Sequence, residues 1–142
     1  MSGSQSQEVA GAQARKPKHI DVIVDILAFF AAQKRYSYVD MIGNALDKLL
    51  AIDALKDAVR DFKSSCIDQT IPDEEVVCPK IGPEEIDNAT RWVTDKIRNA
   101  ETHEFLLFTR ELAVKALARA PRFKKENLEE SPSSSSQESK SS

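Results

Sequence analysis

The side chains best suited to catalysis or metal binding are two histidines and two cysteines, but their spacing predicts neither activity. His19 lies in the leader of the first predicted helix, and His103 lies in the first turn of the last. His103-Glu104 lacks the second histidine, four residues on, that a zinc-protease helix requires. Cys66 and Cys78 are twelve positions apart with no second pair, whereas structural zinc sites use closely spaced sets. We therefore predict no metal ligands.

A catalytic constellation is equally hard to find. Hydrolases and transferases need a nucleophile beside a base, or two carboxylates whose pKa values differ. The acidic residues of this chain are instead spread along predicted outer helix faces, where lysines and arginines balance them. We predict no catalytic residues and no cofactor, and we expect that the protein is not an enzyme.

The cysteines also bear on the cellular compartment. Two cysteines do not make a disulfide framework, and the first residues lack the apolar core of a secretory signal. We expect an intracellular protein, cytoplasmic or nuclear. Free thiols at Cys66 and Cys78 are the expectation, with a disulfide within the connector as the alternative.

Phosphate binding is the remaining chemistry that the residue types support. The net charge of −3 argues against a general polyanion binder, but basic residues collect near the end of the predicted fold. The last two predicted helices could place them on one surface, although nearby glutamates dilute the charge; a solvated basic end is the alternative. The candidate contacts to phosphate or nucleic acid are Arg91, Arg98, Lys115, Arg119, Arg122, Lys124 and Lys125.

The helix that carries two of these arginines reads PEEIDNATR from Pro83 to Arg91, followed by Asp95, Ile97 and Arg98. This segment resembles the arginine-bearing helix of rod-shaped plant virus coat proteins. Those proteins are four-helix bundles that bind RNA through such arginines, so the resemblance implies RNA contacts at Arg91 and Arg98. It covers this one helix, and the neighbouring segments of that family are much longer.

The first predicted helix has the most apolar sequence of the chain. It runs from Lys18 or His19 to Lys34, and between Ile20 and Ala32 only Asp21 and Asp25 are polar. A helix that is apolar nearly all round is buried or shared with a partner, and this one is too short to span a bilayer. We expect the two aspartates to face water. The predicted partner interface consists of Ile23, Leu27, Phe30 and Trp92.

A second apolar stripe follows, with Ser37 as its predicted N-cap. Its spacing predicts one long helix, or two helices in line that break near Asp53. The inward residues of this stripe are predicted to be Tyr38, Ile42, Ala45, Leu49, Ile52, Leu55, Val59 and Phe62.

Residues 64–82 interrupt the helical pattern and form a long connector, which we interpret as a crossover between two halves of a bundle. Pro83 is predicted to begin the next helix, and Thr102 is predicted to cap the last, which Pro121 stops. The inward residues of that last helix are predicted to be Phe105, Phe108, Leu112, Ala116 and Leu117.

The whole pattern predicts an all-α protein, a compact bundle of four or five helices with disordered ends. Residues 1–17 form a disordered arm, residues 18–123 the bundle, and residues 124–142 a disordered Ser-rich tail. The predicted function is a non-enzymatic protein–protein interaction or self-association module, a homo-oligomer or a subunit bound to another protein, with no membrane contact. The alternative is a nucleic-acid-associated or viral structural, coat-like protein that binds RNA through a basic helix face.

Overall fold

The computed structural model describes residues 18–68 and 75–125, and these residues form five α-helices. The helices are α1 (His19–Ala32), α2 (Ser37–Gly43), α3 (Lys48–Phe62), α4 (Pro83–Asn99) and α5 (Thr102–Arg119). A π-helical turn, Lys63–Ile67, continues α3, and a 3-10 turn, Ala120–Phe123, follows α5. The prediction of an all-α bundle is confirmed. The predicted disordered arm lies outside the described residues, as does all of the predicted tail beyond Lys125.

Helix α1 is the centre of the bundle. Ten of its fourteen residues are buried, because α4, α5 and the 3-10 turn pack around it. Leu27 and Phe30 are completely inaccessible to solvent. The chain itself therefore covers the apolar surface that the sequence predicted to be buried or shared.

Helices α2 and α3 are separate, so the prediction of one continuous helix is wrong. Helix α2 ends at Gly43, and α3 begins after Asp47, whose side chain accepts a hydrogen bond of 2.7 Å from the backbone N–H of Leu49. The break near Asp53 is also wrong, because that residue lies exposed inside α3. Ser37 is the first residue of α2 and does not cap it.

Gly43 explains why α2 and α5 can lie so close together. A β-carbon on Gly43 would stand 2.6 Å from the β-carbon of Ala113 on α5, which is too close for two carbon atoms. The bend after Gly43 also changes which residues face inward. Leu49, predicted to be buried, is 68% exposed.

The remaining helix starts follow local sequence. Pro83 is the first residue of α4, as predicted, and the Glu85 side chain accepts a hydrogen bond of 3.0 Å from the backbone N–H of Gly82. Likewise, the Glu104 side chain accepts a hydrogen bond of 3.0 Å from the backbone N–H of Glu101. Glu101 is the N-cap of α5, one residue before the predicted cap Thr102. Each of these contacts satisfies one backbone donor at a helix start.

Cys66 and Cys78 form a disulfide bond, with their Cα atoms 5.7 Å apart. The expectation of free thiols is therefore wrong. The π-helical turn carries Cys66 beyond the end of α3, and the returning connector passes Cys78 beside it. Sequence distance alone could not show that these two segments meet.

The connector also contacts the chain that leaves α5. Val76 and Lys124 form an isolated antiparallel bridge. The backbone N–H of Val77 donates to Phe123 O at 2.8 Å, and the N–H of Lys125 donates to Glu75 O at 2.9 Å. Residues 75–77 thus hold residues 123–125 against the bundle.

None of the five helices is long and apolar enough to cross a bilayer, as judged over the residues that the structure describes.

Candidate interaction surfaces

Three of the four residues predicted to form a partner interface are in the core. Ile23, Leu27 and Phe30 are each 0% exposed. The Phe30 ring packs against Tyr38, with ring centres 5.0 Å apart, and the Arg35 guanidinium lies 5.1 Å from its centre. The prediction is wrong for these three residues, because their apolar surface is used to close the bundle.

Trp92 is the member of that set that stays on the surface, at 40% exposure. Its ring tilts against His19, with centroids 5.6 Å apart. The Lys96 ammonium lies 5.6 Å from the centre of the same ring and 5.3 Å from that of Phe108. Trp92 is a half-exposed aromatic residue whose surroundings fix its orientation.

A different apolar surface is exposed at the junction of α2 and α3. Leu46 is 81% exposed, Leu49 is 68% exposed and Leu50 is 49% exposed. We call these three residues the leucine corner. Sequence reasoning missed it, because Leu49 fitted the inward stripe and the bend that exposes the corner had not been predicted in the right place.

The leucine corner has a fixed position. The Lys48 ammonium donates to the carbonyl oxygens of Arg98, at 3.2 Å, and Ala100, at 2.6 Å. These carbonyls lie at the C-terminal end of α4, where a positive charge is favoured. Together with the Asp47 cap, this contact ties the first turn of α3 to the neighbouring helix.

A second group of exposed apolar residues lies along α5. Leu107 is 63% exposed, Val114 66% and Leu117 48%. Leu117 was predicted to face inward, and this prediction is wrong. Leu107 and Val114 are seven residues apart and share one face of the helix.

Arg119 is not available as a phosphate contact, contrary to prediction. Its guanidinium donates to the Asp25 carboxylate at 2.8 Å and to the Asp21 carboxylate at 3.3 Å. The side chain of Arg119 is 21% exposed. The two aspartates, predicted to face water, instead bind this arginine because α5 packs along α1.

The shared site changes the ionisation of both partners. Burial raises the pKa of Asp25 above its usual value of 3.8, and the hydrogen bond from Arg119 offsets this only in part. Burial alone would lower the pKa of Arg119, but its hydrogen bonds and attraction to Asp25 and Asp21 outweigh burial and raise it.

The other basic residues of the C-terminal end differ in their contacts and exposure. Lys115 forms an ion pair of 2.8 Å with Glu111 on the exposed side of α5. Arg122 is exposed and lies near enough to lower the pKa of Asp25. Lys124 and Lys125 are fixed by backbone contacts to the connector.

Arg91 and Arg98 line a groove between α3 and α4, together with Lys56 of α3. The groove has a volume of about 360 Å³. Thr94 also lines it, and its hydroxyl is buried without a hydrogen-bond partner among the residues that the structure describes. Asp95 partly neutralises the positive charge of the groove, because its carboxylate lies 3.8 Å from the guanidinium of Arg98.

The predicted basic surface is therefore divided. None of the basic residues of α5 lines the α3–α4 groove, and Arg119 faces α1 instead. Arg91 and Arg98 thus line the α3–α4 groove while Arg119 contacts α1, so these three arginines do not share one basic face as predicted.

Tyr38 and Asp61 form a hydrogen bond between two helices. The Tyr38 hydroxyl donates to the Asp61 carboxylate and so joins α2 to the end of α3. Burial, together with this hydrogen bond, raises the pKa of Tyr38.

Within residues 18–68 and 75–125, no group of three or more His, Cys, Asp and Glu side chains is placed to hold a metal ion.

Comparison with known protein families shows which family the chain resembles. The family model described as "CRISPR-associated protein (Cas_Csa5)" matches residues 26–120, which is more than half of the chain. The matched region begins within α1 and ends just after α5. No curated protein and no solved structure matches the chain.

Proposed function

Since the chain belongs to the Cas_Csa5 family of CRISPR-associated proteins, we propose that it is a non-enzymatic subunit of a CRISPR effector complex and that the leucine corner docks it onto another protein of that complex. The observation that carries this proposal is the exposure of Leu46, Leu49 and Leu50 on a fixed helix start.

The leucine corner has the properties of a protein-binding surface. Neighbouring exposed apolar residues mark interaction sites more reliably than scattered ones. Burying a leucine side chain is worth about 1.5–3 kcal/mol, so three of them could provide much of a moderate binding affinity. Because Asp47 and Lys48 already fix this turn, little further ordering is needed on binding.

Co-purification tests the proposal. The full chain is expressed with the other CRISPR-associated proteins of its source, and the complex is isolated through a tag on one of them. We expect the wild type to co-purify and Leu46→Asp/Leu49→Asp to be lost, because two charges would be buried in the interface. Leu107→Asp/Val114→Asp is the matched control, since these residues of α5 are similarly exposed.

Three results would contradict the proposal in different ways. A folded wild type that never co-purifies removes the role as a subunit. Retention of Leu46→Asp/Leu49→Asp removes the leucine corner as the contact. Loss of the control variant alone assigns the contact to α5. Circular dichroism of each variant shows that the bundle is intact.

The α3–α4 groove supports a second candidate function, which is contact with nucleic acid. Lys56, Arg91 and Arg98 line it beside the buried hydroxyl of Thr94. Arginine and lysine bind phosphate oxygens, and a threonine hydroxyl donates a hydrogen bond to them. An occupant that accepts a hydrogen bond would give the Thr94 hydroxyl a partner.

Fluorescence anisotropy with a single-stranded RNA tests this second candidate. Binding should weaken steeply with added salt, and Lys56→Ala/Arg91→Ala should reduce both the affinity and the salt dependence, the latter by about two phosphate contacts. Lys115→Ala is the control, because that lysine is on α5 and already pairs with Glu111. An RNA affinity that does not change with salt concentration, or that only Lys115→Ala reduces, would exclude the groove as the RNA-binding site.

Membership in a CRISPR-associated family gives no support to the coat-like, viral structural alternative. We retain an intracellular location as part of the proposed function, and the family gives no support to a nuclear one.

A further inference from the structure

We propose that Trp92 and Lys96 form a site for one unpaired nucleotide of a single-stranded nucleic acid, whose base stacks on the Trp92 ring and whose phosphate contacts the Lys96 ammonium. We call these two residues the stacking site. The proposal rests on the nucleic-acid contact proposed for the α3–α4 groove, and it adds a base contact to the phosphate contacts proposed there.

Trp92 is an exposed aromatic residue whose orientation is already fixed. It is 40% exposed, and the His19 ring packs against it with centroids 5.6 Å apart and an angle of 52° between the ring planes. Because the indole is held in place, stacking a base on it needs little further ordering. Every base has a π-face, so such a platform accepts a strand with little regard to its sequence.

Lys96 places a positive charge beside this platform. Its ammonium lies 5.6 Å from the centre of the Trp92 ring and 5.3 Å from that of Phe108. Within residues 18–68 and 75–125, Lys96 forms no ion pair. A cation–π contact at an exposed site is weak, so the flexible side chain can turn from the rings to a phosphate oxygen. This turn uncovers more of the Trp92 face for a base.

A groove next to Lys96 has room for the adjoining part of the strand. This α4–α5 groove has a volume of about 460 Å³, within the range of roughly 300–1,000 Å³ for sites that bind small molecules. Leu107 and Phe108 give it apolar walls, and the Asn99 amide lines it as well. An amide both donates and accepts hydrogen bonds, which suits the edge of an unpaired base.

Two glutamates of α5 also line the α4–α5 groove. Glu104 accepts the backbone hydrogen bond from Glu101, and Glu111 pairs with Lys115 at 2.8 Å. Their negative charge makes the groove a poor site for phosphate. The phosphate contact is therefore at Lys96, and the groove takes a base or sugar.

Helix α4 connects the stacking site to the α3–α4 groove. Arg91 lines that groove, and Trp92 follows it in sequence, so the two side chains point about 100° apart around the helix. A single strand that crosses the exposed face of α4 can contact Arg91 with a phosphate and Trp92 with a base. The bases of a duplex are stacked on one another and are not free to do this.

Quenching of tryptophan fluorescence tests the site directly, because Trp92 is the only tryptophan of the chain. We expect a short single-stranded RNA to quench the fluorescence of the full chain as it binds, since a stacked base contacts the indole. The same RNA annealed to its complement, and a strand of equal length without bases, should bind more weakly and quench less. Adenosine monophosphate should quench only at much higher concentration, because it lacks the other phosphate contacts.

Variants separate the base contact from the phosphate contacts. In fluorescence anisotropy, Trp92→Ala should weaken RNA binding about tenfold without changing its salt dependence, and Trp92→Phe should restore most of the affinity. Lys96→Ala should reduce the salt dependence by about one phosphate contact. Tyr36→Ala is the matched control, because Tyr36 is an aromatic residue of similar exposure, 44%, between α1 and α2. Circular dichroism shows that each variant is folded.

The outcomes distinguish this site from the α3–α4 groove. RNA that binds without quenching, or equally well to Trp92→Ala and the wild type, overturns the stacking site and leaves the groove as a phosphate contact. Quenching that persists in Lys56→Ala/Arg91→Ala supports the stacking site and removes the groove. The absence of any RNA binding removes both.

Three further results would overturn the proposal. Equal affinity for the strand without bases means that no base is bound. Adenosine monophosphate that binds as tightly as the RNA means that the site takes a free nucleotide and not a strand. Failure of Trp92→Ala to co-purify with the other CRISPR-associated proteins, at unchanged RNA affinity, assigns Trp92 to a protein contact.

Discussion

The Arg119 guanidinium donates a hydrogen bond of 2.8 Å to the Asp25 carboxylate, although 94 positions of sequence separate the two residues. The same guanidinium contacts Asp21, one turn earlier on α1, at 3.3 Å. The last turn of the last helix is thus joined to the polar edge of the central one. An arginine that the sequence suggested for phosphate binding closes the bundle instead.

Replacing Arg119 should destabilise the protein. Arg119→Ala leaves Asp25 partly buried without its cation, and both side chains of the pair are no more than a quarter exposed. We expect the free energy of unfolding to fall by about 2 kcal/mol, measured by urea denaturation. The control Lys115→Ala breaks the exposed pair with Glu111 and should cost less than about 0.5 kcal/mol. Equal losses would mean that the Arg119 contact is an ordinary surface pair.

Lowering the pH should increase the stability of the wild type relative to that of Asp25→Asn. Because the pKa of Asp25 is raised above 3.8 in the fold, the folded state holds this proton more tightly than the unfolded chain does. The contribution of Asp25 to stability is therefore greatest below pH 3.8 and falls as the pH rises through the folded pKa. Urea unfolding of both proteins between about pH 7 and pH 4 measures the difference. A wild type that loses stability relative to Asp25→Asn on acidification would show that attraction to Arg119 outweighs burial.

Gly43→Ala should be destabilising even though alanine is the better helix former. The added β-carbon would meet that of Ala113 at 2.6 Å, and overpacking of this kind costs about 1–3 kcal/mol. Thermal denaturation measures the effect. Gly43→Ala/Ala113→Gly removes the clash, so it should be more stable than Gly43→Ala alone despite the new glycine in α5. A Gly43→Ala variant as stable as the wild type would mean that α2 and α5 can separate at no cost.

The structure and the sequence place the N-cap of α3 at different aspartates, and two alanine variants can distinguish between them. Asp47→Ala removes the acceptor for the Leu49 N–H and should cost about 1 kcal/mol. Asp53→Ala, at the position that the sequence suggested as a cap, lies exposed in the middle of α3 and should change stability by less than about 0.5 kcal/mol. Chemical denaturation of the two variants compares them, and the opposite ranking would move the helix start to Asp53.

Several features of the fold could be predicted because they depend on local spacing. The all-α class follows from apolar residues that recur at helical intervals. That α1 is covered on most sides, by this chain or by a partner, follows from a segment with only Asp21 and Asp25 as polar residues. The start of α4 at Pro83 follows from the fixed backbone angle of proline. Each of these can be worked out within one segment, without knowing where its neighbours lie.

The candidate surfaces could not be predicted in the same way. The leucine corner exists because the chain bends after Gly43, and that bend depends on how closely α2 approaches α5. Arg91 and Arg119 have the same charge in sequence, yet one lines an open groove and the other is bound by two aspartates. Which surface of a helix remains exposed is decided by the packing of all the helices together.

The sequence by itself determined the helical class and the apolar character of the first helix, because residue type and periodicity are properties of the chain. Only the tertiary structure decided that Cys66 bonds to Cys78, that Arg119 binds Asp25, and that the exposed apolar surface is at Leu46 rather than in α1. These outcomes depend on distances between segments far apart in sequence, and such distances are set when the helices pack around a common core.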